Sequence, residues 1–128
     1  MKAYFGHIEA DTLANDNFRK VLFTGEHSQL VLMSLRPGEE IGLETHPHVD
    51  QFFRFEQGQG RVVVGDEEFS VADGDSVVVP AGSQHNVVNT GEGDLKLYTI
   101  YSPPNHPDGT VHQTKADADA AEAEEHHS

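Results

Sequence analysis

The sequence predicts an all-β barrel or sandwich. Short β-branched and apolar runs recur along the chain, turns rich in Gly, Pro and Asp fall between them, and no helical pattern of crossover length interrupts them. Without such crossovers an alternating strand–helix order, and hence a parallel sheet, is excluded. At 128 residues the chain forms one domain around one core.

Taken in order, RKVLFT (19–24) and QLVLMSL (29–35) read as strands joined by GEHS, a hairpin-like interval. RPGEE (36–40) is a turn, with Pro37 setting φ and Gly38 free to take positive φ. FFRFEQ (52–57) is the next strand and ends at GQG. RVVVG (61–65) follows, then a tight turn at DEE and the run EFSVAD. DGD (73–75) turns the chain into SVVVP, AGSQ turns it into HNVVN (85–89), and TGEGD leads into LKLYTIY (95–101). SPPNHPDG cannot be a central strand, because three prolines remove ladder donors. From Thr114 the chain is rich in Ala and Glu, with that threonine as a capping residue for a short helix of little burying power. The expected organisation is an N-terminal extension with the first strands over 1–29, a barrel core over 30–101, and a Pro-containing segment with an acidic tail over 102–128.

Composition narrows the function. The net charge of −14 argues against a nucleic-acid partner, because binding a phosphate backbone needs clustered Lys and Arg and the eight basic residues here are scattered. There is no cysteine, which removes disulfides, thiolate metal sites and cysteine nucleophiles. No apolar run reaches membrane-spanning length, and MKAYFGHIEAD has no apolar h-region, so a cytoplasmic protein is expected.

Histidines concentrate the remaining chemistry. In GDSVVVPAGSQHNVVN, Gly74, Pro80, Gly82, His85 and Asn89 are separated by five, one, two and three residues. Gly74 turns the chain into a strand, and Pro80 with Gly82 forms the turn that aims His85 inward. This spacing resembles the second motif of the cupin superfamily at every fixed position. The first cupin motif runs from a glycine through His-x-His and a glutamate to a second glycine. Anchored on Gly38 and Gly58, it places Glu44, His46 and Gln51 at its ligand positions. Two of those positions have changed type: Glu44 stands for a histidine and Gln51 for the glutamate. A second register keeps the literal His-x-His and makes His46 and His48 ligands with Gln51 and His85. Asp50, Gln51, Phe52 and Phe53, with LKLYTIYSPP and GTVHQTKA, are similar to one small-cupin subgroup.

The resemblance implies a double-stranded β-helix, the cupin or jelly-roll barrel, carrying one divalent transition metal: Zn, Fe, Mn, Ni or Co. The ligands it implies are Glu44, His46, Gln51 and His85, with His48 as the alternative. Two imidazoles, a carboxylate and a carboxamide oxygen suit such borderline ions. It also implies a small-molecule ligand in the barrel and a homodimer, with the segment around residues 1–18 long enough to be exchanged. The functions in view are an isomerase-, lyase- or cyclase-type enzyme on a small oxygenated metabolite such as a sugar derivative, an Fe(II)-dependent dioxygenase, and a non-catalytic binding module. No catalytic residue is assigned. His106 and His112 fall in the Pro-rich segment, outside the expected site, and the polar GTVHQTK stretch is a candidate lid over the barrel mouth.

Overall fold

The computed structural model describes the backbone of residues 2–127 and the side chains of residues 2–123. A short helix, α1 (Ile8–Ala14), precedes β1 (Arg19–Thr24), β2 (Gln29–Leu35), β3 (Asp50–Gln57), β4 (Gln59–Val64), β5 (Glu67–Ala72), β6 (Ser76–Val79), β7 (His85–Asn89) and β8 (Leu95–Ser102). A two-residue strand, β9 (Val111–His112), and a C-terminal helix, α2 (Lys115–His127), complete the chain. All strand pairs are antiparallel. One sheet has the order β6-β3-β8-β2-β1-β9 and the other β5-β4-β7. Residues 38–44 run beside β7 and widen the smaller sheet through isolated bridges at Glu40–Val88 and Glu44–His85.

The core follows from strand alternation. Val31, Met33 and Leu35 of β2, Phe53 and Phe55 of β3, and Leu95 and Leu97 of β8 are fully buried against Val62 of β4 and Val87 of β7. Each such side chain contributes about 1.5–3 kcal/mol through removal from water. On β3 the inward positions are Gln51, Phe53 and Phe55, so a carboxamide shares the register of two core rings. Phe52 and Arg54 take the other face, where Phe52 packs 6.3 Å from Tyr98 and Arg54 Nε donates to Glu56 Oε1 at 2.7 Å.

Two motif positions have purely structural roles. Gly58 joins β3 to β4 at φ 97°, and a Cβ there would lie 2.6 Å from the Asp94 carbonyl oxygen. Only glycine fits both constraints. Asn89 is buried; its Nδ2 donates to the Leu35 and Gly93 carbonyls at 2.9 Å each, and its Oδ1 accepts from the Gly91 N–H at 2.9 Å. It ties the end of β7 to β2 and to the turn before β8.

The ends of the chain pack on the barrel. The seven-residue α1 is too short for periodicity to reveal, and it lies against β3 and β8 of its own chain. Lys96 of β8 donates to the Asn15 carbonyl and to Asp16 Oδ1, fixing the exit from α1. Thr114 caps α2, accepting from the Asp117 N–H at 3.1 Å, and Ala118 is buried in the core cluster. No helix among the described residues is long and apolar enough to cross a membrane.

Candidate metal centre

Glu44 and His85 face each other across the smaller sheet. Each donates its backbone N–H to the other's carbonyl at 2.9 Å, which sends their side chains to the same side. Glu44 and His46, two apart in extended chain, also share a side, and His46 Nε2 lies 2.8 Å from Glu44 Oε2. The Gly82 N–H holds the His46 carbonyl at 2.9 Å, so the turn before β7 supports the opposite arm of the site. One ligand atom from each of Glu44, His46 and His85 falls within 4.8 Å of the other two, a candidate metal-binding cluster.

The surroundings orient these groups. His85 Nδ1 sits 3.0 Å from the Ser83 carbonyl; a carbonyl only accepts, so Nδ1 carries the proton and Nε2 keeps its lone pair. His46 packs edge-on against Tyr101 at 6.0 Å and lies 5.5 Å from the His85 ring. Burial pushes the Glu44 carboxyl up, but the His46 hydrogen bond and the charges of His46, Arg19 and His85 together hold it below the usual carboxylate value. Glu44 is therefore ionised at neutral pH.

These residues suit a divalent ion by their donor chemistry. A carboxylate and two imidazoles already converge, and Gln51 lies on the inward face of β3. It is 3% exposed; its Nε2 donates to Thr99 Oγ1 at 3.0 Å, while its Oε1 is buried and without a hydrogen-bond partner among the described residues. A buried carboxamide oxygen left unpaired costs about 1–3 kcal/mol, and a cation beside it removes that penalty. His48, in contrast, is exposed and does not enter the cluster.

The cluster opens into a cavity of about 390 Å³ whose walls include Arg19, Glu44, His46, His106, His112 and, at the exposed rim, Glu122. Four of these, Arg19, His106, His112 and Glu122, come from outside the cupin motifs. Arg19 takes the inward register of β1 alongside Val21, with Lys20 pointing out. His112 is its cross-strand neighbour on β9, and Arg19 Nη1 lies 3.3 Å from His112 Nδ1. His106 is placed by Gln29, a buried residue of β2. Gln29 Oε1 accepts from the Asn105 and His106 N–H groups at 3.1 and 3.0 Å, and its Nε2 donates to the His106 carbonyl at 2.7 Å. His106 Nε2 then meets the Tyr101 hydroxyl at 3.2 Å. Burial and the nearby Arg19 charge pull His106 down to about 3, so its ring is neutral. Burial pushes the Tyr101 hydroxyl well above its usual value, so it keeps its proton.

A jelly-roll barrel with a Glu/His/His cluster at its mouth defines a cupin, and the chain belongs to that family: the cupin-domain model matches residues 31–101. The chain is 55% identical over 127 residues to the uncharacterised protein YrkC of Bacillus subtilis (strain 168), covering 94% of this chain and 68% of that protein. The crystal structure of BH2720 from Bacillus halodurans superposes with a TM-score of 0.92 at 50% identity, over 93% of this chain and 95% of that one. That of TT1209 from Thermus thermophilus gives 0.68 at 28% identity, over 73% and 93%.

The structure brings together Glu44, His46 and His85, sets Gln51 beside Thr99, and leaves His48 at the surface. The sequence motifs do not mark Arg19, His106 or His112 as pocket residues. For Arg19 a signal exists: in RKVLFT the arginine shares the register of Val21, an inward position for a charged side chain. For His106 no such signal exists, because a loop anchored by a distant glutamine sets its position.

Proposed function

We propose that this chain is a mononuclear metal cupin in which Glu44, His46, His85 and Gln51 hold one divalent transition ion, and that it is an enzyme of isomerase, lyase or cyclase type acting on a small oxygenated metabolite such as a sugar derivative. The observation that carries the reading is the convergence of the Glu44, His46 and His85 ligand atoms within 4.8 Å at the base of a cavity large enough for a small metabolite. A divalent ion there polarises a carbonyl or hydroxyl oxygen and stabilises negative charge developing on it.

The residues around the cluster shape its pocket. His106, held neutral and lowered too far to act as a base at neutral pH, is a hydrogen-bonding wall for a bound metabolite. The Tyr101 hydroxyl behind it, which keeps its own proton, orients the ring. Arg19 and Gln29 hold the two walls that bring His106 to the cluster.

The test follows solvent deuterium entering candidate aldoses, ketoses and uronates at the carbon next to the carbonyl, by NMR, with zinc- or manganese-loaded protein. Wash-in that disappears in His85→Ala supports the reading. No wash-in across the panel contradicts it.

A second reading is an Fe(II)-dependent dioxygenase. The specific observation behind it is the two-His-one-carboxylate set. It requires substrate-dependent O₂ uptake by anaerobically iron-loaded protein, and an electrode trace that stays flat with diketones, catechols and flavonoids removes it.

A further inference from the structure

Arg19 is 6% exposed, yet no carboxylate among the described residues lies within ion-pairing distance of it. Buried guanidinium groups are ordinarily paired, because an uncompensated charge is costly away from water. Its contacts are Nη1 to His112 Nδ1 at 3.3 Å, the Tyr101 hydroxyl, and the Phe18 ring 5.3 Å from the guanidinium carbon. Its Nε is buried and has no hydrogen-bond partner among the described residues. The group lines the same cavity as Glu44 and His46.

The charges of that cavity point one way. Without an ion, Arg19 and Glu44 balance, and the remaining acid, Glu122, sits at the solvent-exposed rim. A divalent ion on Glu44 and neutral donors would leave the interior two positive charges in excess. The protein as a whole carries −14, so this interior would be a cationic spot inside an acidic molecule. A guanidinium presents paired N–H donors in a planar fork that matches a carboxylate.

From the absence of an ion-paired carboxylate and the shared cavity, we infer that Arg19 is the carboxylate-binding residue of this pocket and that the metabolite is a small oxygenated organic acid. Its carboxylate lies on Arg19 while its hydroxyl or carbonyl oxygen faces the Glu44–His46–His85 cluster. The excess positive charge rests on the metal reading of the same pocket; the absent ion pair does not. An acid bound this way pairs with the guanidinium directly. A neutral amide of the same shape does not.

The probe pair is lactate and lactamide, titrated into zinc-loaded protein while the arginine Nε–H resonances are followed by NMR and bound metal is measured by elemental analysis. Lactate is expected to move the Arg19 resonance and to bind about tenfold or more tightly than lactamide, the ratio expected for one charge-assisted interaction. Arg19→Gln is expected to abolish that preference while metal content stays unchanged, and Arg19→Lys to restore part of it. Equal response to lactate and lactamide in the wild type overturns the inference, and needs no variant to fold. Lactate affinity unchanged in Arg19→Gln overturns it too, while the metal content leaves the metal reading standing. A protein without metal that still distinguishes lactate from lactamide through Arg19 supports the inference and removes the metal reading alone.

Discussion

Glu44 and His85 are joined backbone to backbone, each N–H reaching the other's carbonyl at 2.9 Å, although 44 belongs to an irregular segment and 85 begins a regular strand. Two candidate ligands are thus held by one reciprocal pair of hydrogen bonds rather than by side-chain packing. Opening one bond opens the other. Hydrogen exchange followed by NMR should find the two amides slow and nearly equal in protection. A fast Glu44 amide beside a protected His85 amide would show that the segment frays independently.

Gln51 has one satisfied and one unsatisfied end. Replacing it with leucine keeps the volume and removes both. Metal affinity, read by competition with a chelator, should fall roughly tenfold or more, as for loss of one supporting donor, while the fold is retained. The Thr99 hydroxyl then loses its partner at a cost of about 1 kcal/mol. Unchanged metal affinity in Gln51→Leu would confine the residue to a structural role.

Much of the barrel was legible because strand chemistry is local. The runs at 19–24, 29–35, 76–79 and 85–89 are the strands β1, β2, β6 and β7, since each is β-rich and bounded by turn residues. The edges that shifted did so for tertiary reasons. β3 begins at Asp50, because Gln51 pairs with Tyr101 on one side and Val79 on the other. β4 begins at Gln59, because Gly58 alone makes the turn. The Glu44, His46 and His85 positions were readable from glycine-anchored spacing. The rest of the pocket was not. Its walls depend on Arg19 meeting His112 across 93 residues and on Gln29 holding His106 across 77, contacts that no local pattern encodes.

Gln29 is the clamp of the C-terminal wall, making three hydrogen bonds to the backbone of residues 105 and 106 and one to Thr24 Oγ1. Gln29→Ala leaves these partners unsatisfied in a buried place. Urea unfolding should show a loss of about 1–3 kcal/mol, and limited proteolysis should cut near residues 103–110 before the barrel unfolds. A stable variant resistant to proteolysis there would mean that the loop holds itself.

His106 gives a pH signature. Burial first, then the Arg19 charge, lower it from 6.5 to about 3 in the folded protein. Between those values the unfolded chain binds a proton that the folded chain refuses. The stability from neutral His106 is therefore complete above about pH 6.5 and is lost as pH falls toward 3, with a slope approaching 1.4 kcal/mol per pH unit, roughly one proton's worth. Glu44, also lowered, acts in the same direction but only at and below its ordinary value of 4.5. Urea unfolding of metal-free protein at pH 7, 6 and 5 should show this fall, and His106→Asn should flatten it. An equal slope in the variant would assign the effect elsewhere.

The central claim is that Glu44, and not His48, completes the metal set with His46 and His85. Elemental analysis of purified wild type beside Glu44→Ala and His48→Ala tests it most directly. Near-stoichiometric metal is predicted in the wild type and in His48→Ala, and little in Glu44→Ala. Metal kept in Glu44→Ala and lost in His48→Ala would contradict the claim and restore the literal His-x-His register.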